Sequence, residues 1–277
     1  MKLLCQLTLI LSIIVLNSCS KDKKEISLIK EINQKDEMIS AYKEGVESLN
    51  EGDAFYAAKK FLEAELLYPQ DAWAPKASLM AAYSYYSQDY YSESIFVLES
   101  FIKTYPKDNR IDYVHYLLGM CYYQTIEDEK NDLQPLILAK KNFKLLLEKY
   151  PKTDFALDAK FKIGLIDDVM ASKEMYLGRY YIKKEKWIPA INRFKNILKN
   201  FDTTIYTEEA IHRLVEIHYK IGLEAEARKY ASLLSYNYLS SEWYEKSYKI
   251  FNKKYETRKL KKEKDKNGLI KKFKKLF

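Results

Sequence analysis

Through most of the chain, apolar residues return at three- and four-residue intervals, the period of an α-helix with one buried face. In YKEGVESLNEGDAFYAAKKFLEAELLYPQD, Gly45 is followed by Ala57, Phe61, Ala64 and Pro69, at offsets of 12, 16, 19 and 24. That spacing predicts two helices folded back on each other. A small residue lets the second helix approach the first, an aromatic ring fills the space between hairpins, and proline stops the second helix. The grid returns as Ala82, Tyr85, Ser94, Leu98, Phe101 and Pro106, and again as Gly119, Tyr122, Ala139, Phe143, Leu146 and Pro151. A fourth unit places Gly178, Tyr181, Ala190, Phe194 and Ile197, with Asp202 where proline would stand. The fifth, Val215, His218, Ala227, Ala231 and Leu234, is apolar but less diagnostic.

The irregular intervals also carry information. Pro69 to Pro106 is 37 residues and Pro106 to Pro151 is 45, and the excess of 8 is accounted for by an insertion, TIEDEKNDLQP, between the helices of the third unit. Pro151 to Asp202 is 51, which lengthens the helical stretch from Phe155 to Lys183. These offsets resemble those of tetratricopeptide repeats. The expected fold class is all-α, a right-handed α-solenoid of about five tetratricopeptide-like helical hairpins over residues 38–252. Such arrays bury a continuous core and leave a curved surface that recognises other polypeptides.

The first residues follow a different pattern. After Lys2 the chain is apolar from Leu3 to Leu16, broken only by Gln6, Thr8 and Ser12. As a helix this run would rise only about 21 Å, short of the ~30 Å hydrocarbon core, so residues 1–18 are expected to be a signal peptide and not a membrane span. The run ends Leu16-Asn17-Ser18-Cys19, which resembles the lipobox of bacterial lipoproteins; the resemblance makes Cys19 the acylated first residue of the mature chain, with 19–37 as anchor and tether. The alternative is an incidental cysteine after a conventional cleavage site. Cys5 would leave with the leader, and Cys121 would then have no partner and is expected to be a small buried hydrophobe.

Composition narrows the class. Only 7 glycines and 6 prolines in 277 residues argue against a hairpin-rich sheet protein, and no Gly/Pro/Ser-rich linker divides the chain. The formal net charge of +8 is local: residues 253–277 carry 12 Lys/Arg and 3 Asp/Glu, a net of +9, leaving about −1 for everything before them. In that tail Leu269, Ile270, Phe273, Leu276 and Phe277 form an apolar stripe opposite Lys271, Lys272, Lys274 and Lys275. The pattern suits an amphipathic helix lying on an anionic membrane or docking on an acidic partner; the alternative is a disordered basic tail. Nucleic acid is not expected as a partner, because an exported lipoprotein does not meet it.

Catalysis finds little support. His212 and His218 are six apart and not on one helix face, and no HExxH, GxSxG or GxxxxGK[ST] occurs. No cofactor, metal or enzymatic activity is expected, and Asp167-Asp168 is expected to be a solvated face.

Three further stretches carry a more specific resemblance. NRIDYVHYLLGMCYY in the third unit, GRYYIKKEKWIPAINRFKNILKNFDTT in the fourth, and the lipobox together resemble the BamD family of outer-membrane β-barrel assembly lipoproteins, from Cys19 to about Tyr238. The resemblance implies a lipid-anchored protein on the periplasmic face of the outer membrane. It would bind the periplasmic domains of the barrel-forming BamA subunit, receive unfolded outer-membrane proteins, and sit beside other lipoproteins of the machinery. It assigns Arg193 to a carboxylate of BamA, against the alternative of a solvated arginine, and assigns incoming substrate to the first repeats. There the tyrosines Tyr83, Tyr86, Tyr113 and Tyr116 are candidates for the groove, while Tyr85 and Tyr122 are expected to face the neighbouring helix. Two other classes remain open: a general envelope scaffold binding peptidoglycan-associated or other periplasmic proteins, and a ligand-capturing lipoprotein of nutrient uptake.

Overall fold

An aromatic residue followed by a turn ends each second helix of the pattern. A computed structural model describes residues 23–125 and 132–252, with side chains from residue 33 onward. The leader, Cys19, the middle of the third-unit insertion and the basic tail with Lys271, Lys272, Phe273, Lys274, Lys275 and Phe277 lie outside the described residues. All described elements are helices: α1 (Lys23–Glu51), α2 (Ala54–Leu67), α3 (Ala74–Ser87), α4 (Tyr91–Thr104), α5 (Ile111–Gln124), α6 (Gln134–Lys149), α7 (Asp154–Lys183), α8 (Trp187–Asn200), α9 (Thr207–Lys220), α10 (Glu224–Asn237) and α11 (Glu242–Phe251). They form two compact units, α1–α5 and α6–α11, meeting in sequence between Gln124 and Thr125.

The two kinds of turn differ in chemistry. Each first helix whose turn is described throughout ends in a left-handed residue: Gly52 (φ 90°), Asp89 (φ 64°), Glu185 (φ 54°) and Gly222 (φ 83°). At Gly52 the amide donates to Leu49 O (3.2 Å) and the next amide, of Asp53, to Ser48 O (2.9 Å). The pair of bonds is a Schellman cap. It recurs at Asp89–Tyr90, Glu185–Lys186 and Gly222–Leu223. The second helices end instead on Tyr68, Tyr105, Tyr150, Phe201 and Tyr238, whose carbonyls accept from the amide three residues on, at Asp71, Asp108, Thr153, Thr204 and Ser241. Several of these residues then cap the next helix. Thr153 Oγ1 accepts from Ala156 N at 3.2 Å, and Ser241 Oγ from Trp243 N at 3.2 Å.

In the first unit α2 packs on α1, α3 on α2, α4 on α3 and α5 on α4. The small positions act as the spacing predicts. Ala57, Phe61 and Ala64 are fully buried, and a Cβ on Gly45 would stand 2.9 Å from Phe61 Cε1. The Phe61 ring lies within its own hairpin, against Tyr42 at 5.1 Å, and Tyr42 carries the contact on to Trp73 at 5.1 Å. Cys121 is buried and free, with its Sγ 3.3 Å from Ser94 Oγ, which in turn donates to Ala82 O at 2.9 Å.

In the second unit the 30-residue α7 packs on α6 and on α8, as the long Pro151–Asp202 interval anticipates. A core of Ala171, Met175, Ala190, Phe194, Ile197, Ala210, Leu214 and Ile217 fills the space among α7, α8 and α9. The helix α11, which the repeat grid did not mark, closes the unit by packing on α9 and α10.

Candidate interaction surfaces

Helices α3 and α5 each present tyrosines three residues apart, so both members of a pair share one face. Tyr83 is 41 % exposed, and Tyr86, Tyr113 and Tyr116 are half-buried. Tyr113 and Tyr116 stack with centroids 6.5 Å apart, and Tyr86 lies 5.9 Å from Tyr91. Burial pushes the Tyr113 hydroxyl up to about 12, with the nearby Tyr83 and Tyr86 hydroxyls and the Cys121 thiol adding to the effect. The four candidates therefore belong to one cluster across α3 and α5. Tyr85 is buried at 8 %, as expected for a residue facing its neighbours, and packs on Phe55 at 5.4 Å. Tyr122 is only half-buried, with its hydroxyl donating to Glu99 Oε1 at 2.8 Å.

Arg193 projects from α8 and is already engaged. Its Nη1 donates to both oxygens of Glu174 on α7, at 3.1 and 3.3 Å, while 40 % of the side chain stays exposed. It is therefore neither a fully solvated arginine nor a sequestered one. Glu174 was not legible beforehand, because the two residues sit on different helices, 19 positions apart. Asp167 departs from the expected solvated face: it is half-buried and paired with Lys140 of α6, whose ammonium also lies 5.7 Å from the Phe201 ring centroid.

Charged groups also tie α9 to its neighbours. The buried carboxylate of Glu209 pairs with Arg179 of α7 and with Arg213 at 3.0 Å. His212 lies between Ser247 of α11 (Nδ1 to Oγ, 2.8 Å) and Glu216 (Nε2 to Oε1, 3.4 Å), beside the Trp243 ring at 5.2 Å. Burial would raise the Glu216 carboxyl, but hydrogen bonds from His212 and Arg213 outweigh it and hold the group down to about 2. The Nδ1 of His218 lies 2.7 Å from Leu214 O, and its ring faces Tyr230. Among the described residues no group of three or more His, Cys, Asp and Glu is placed to hold a metal, and no helix is long and apolar enough to cross a membrane.

Comparison with known proteins gives these surfaces a context. A family model described as YfiO, outer membrane lipoprotein, matches residues 34–234. Among curated proteins, the outer membrane protein assembly factor BamD of Rickettsia prowazekii is 36 % identical over 237 residues, 86 % of this chain and 92 % of that one. The protein of the same name from Caulobacter vibrioides is 35 % identical over 211 residues, covering 76 % and 69 %. That from Vibrio cholerae is 24 % identical over 206 residues, covering 71 % and 86 %. Among solved structures, a thermophilic TPR protein of Thermus thermophilus matches 77 % of this chain and 98 % of its own at 17 % identity and a TM-score of 0.36, too distant to bear on function. With a match that runs from the middle of α1 into α10, and relatives aligned across most of their own length, the chain belongs to the YfiO outer-membrane lipoprotein family, which it shares with these BamD assembly factors.

Proposed function

We propose that this chain is a non-enzymatic outer-membrane protein assembly factor, anchored by lipid on Cys19 to the periplasmic face of the outer membrane. The observation that carries this reading is the alignment with a BamD assembly factor over 92 % of that protein's length. In this reading the exposed edge of Arg193 meets a carboxylate on the periplasmic domains of a BamA-like barrel protein, a pairing that the planar guanidinium suits. The tyrosine cluster of α3 and α5 takes the aromatic-rich strands of unfolded outer-membrane proteins, because such rings give large contact area at low entropic cost.

The test is affinity purification of the membrane-extracted protein, wild type beside Arg193→Glu and Arg193→Gln, with co-purified proteins identified. The glutamine variant is needed because Arg193→Glu would face Glu174 and disturb the α7–α8 contact by itself. Recovery of a BamA-like protein by the wild type and its loss in both variants supports the reading. Recovery by all three moves the interface away from Arg193. Recovery by none, with a peptidoglycan-associated protein in its place, returns the chain to the envelope scaffold class.

A further inference from the structure

Between α6 and α7 of the second unit lies a groove of about 480 Å³ with Ile137, Leu145 and Met170 in its lining. Ile137, Lys141, Lys144 and Leu145 fall at i, i+4, i+7 and i+8, one face of α6. Ile137 is 45 % exposed, an apolar side chain at an open cleft. Lys141, Lys144 and Lys149 are exposed around it, and the single acidic residue of the lining is Glu148.

Among the described residues some lysines pair with carboxylates and others, such as Lys43, Lys59 and Lys103, do not. Lys60 meets Glu44 and Glu63, Lys229 meets Glu226, Lys246 meets Glu242, and Lys140, in the same groove, is taken by Asp167. Lys141, Lys144 and Lys149 pair with no carboxylate among the described residues. Three lysines outside any ion pair, against the single carboxylate of Glu148, around an apolar cleft are complementary to a ligand that brings both anions and a projecting apolar side chain.

We propose that this groove is a docking site for an acidic segment of a partner protein, with a leucine-like side chain seated over Ile137, Leu145 and Met170 and flanking carboxylates reaching Lys141, Lys144 and Lys149. A bilayer presents anionic charge on a broad surface and no side chain to fill a cleft of this size. A second copy of the chain would bring a strongly basic tail and a repeat region close to neutral, and neither supplies a concentrated run of carboxylates. The site goes beyond the assembly reading and does not involve Arg193 or the tyrosine cluster.

The experiment uses the full chain in detergent and a short fluorescent peptide of glutamates with leucines at helical spacing, one leucine replaced by a photoactivatable analogue. Photocrosslinks are mapped by mass spectrometry, since the basic tail also attracts acidic peptides. The expected result is attachment within residues 137–149 or at Met170, and a loss of affinity of about tenfold in Lys141→Glu/Lys144→Glu/Lys149→Glu. Ile137→Ser, which leaves the charges in place, and a peptide with serine for leucine should each weaken binding as well. All the substituted positions are exposed, and an unchanged melting temperature establishes that the variants are folded. Crosslinks confined to 253–277, unchanged peptide affinity in the triple variant, or a triple variant that loses phosphatidylglycerol vesicles while keeping the peptide overturns the proposal.

Discussion

Gly178 and Phe194 meet so closely that a Cβ on the glycine would stand 2.5 Å from two carbons of the ring. The next glycine towards the start of the same helix, Gly164, has nothing within 4 Å of the equivalent point. Both are helical, so alanine gains about 0.5–1 kcal/mol of helix propensity at either position. At Gly178 the overpacking costs about 1–3 kcal/mol, and the ring cannot yield because it is fully buried. Urea unfolding should show Gly164→Ala more stable than wild type and Gly178→Ala less stable; shifts of the same sign would mean that the α7–α8 contact is looser than the geometry requires.

Glu185 holds the left-handed position that glycine fills at Gly52 and Gly222. A side chain there costs about 1 kcal/mol, which glycine avoids while becoming more flexible when unfolded. Glu185→Gly should therefore raise the thermal midpoint slightly, whereas Gly222→Glu should lower it. A neutral result for both exchanges would remove the strain argument.

The carboxyl of Glu216, held down to about 2 against an ordinary 4.5, gives stability a defined dependence on pH. Since its folded value is depressed, the contribution is complete above about 4.5 and is lost as pH falls towards 2. Glu216→Gln should be less stable than wild type at pH 6, and the two denaturation midpoints should converge in acid. A constant gap between them would show that the His212 and Arg213 contacts do not favour the charged form.

Tyr83 and Tyr85 are near neighbours in sequence with opposite surroundings. Tyr85→Ala removes a buried ring that packs against both Phe55 and Tyr90 and should cost about 3–5 kcal/mol. Tyr83→Ala should change stability by no more than about 0.5 kcal/mol while weakening binding of an aromatic-ended client peptide. Equal loss of stability in the two variants would make the tyrosine cluster a core and not a surface.

Much of the helical order was legible because each hairpin repeats the same few constraints. Ala57, Phe61 and Ala64, Ala139, Phe143 and Leu146, and Ala190, Phe194 and Ile197 are all fully buried at the positions that spacing assigned them. The extra helix α11 was missed because the grid rests on paired small and aromatic positions of two packed helices, and the ten residues of α11 repeat none of them. A broader signal was present: Tyr238 and Ser241 repeat the aromatic and capping positions of Tyr150 and Thr153. Partners of charged side chains were not legible at all. Nothing in one sequence links Arg193 to Glu174, Lys140 to Asp167, or Arg179 to Glu209, since each pair is brought together by the packing of two helices. The groove beneath Lys141 and Lys144 was hidden for the same reason, because Met170 completes it from another helix.

Helix α7 pairs with Lys140 through Asp167 in its first half and receives Phe194 against Gly178 in its second. Repeat arrays ordinarily come apart at the seam between one unit and the next, where only side chains meet. Here the seam is bridged by a single rod of backbone hydrogen bonds, a splint about 45 Å long that serves the packing of both α6 and α8. Amides along α7 should therefore exchange with solvent as one block, in step with neither α6 nor α8 alone.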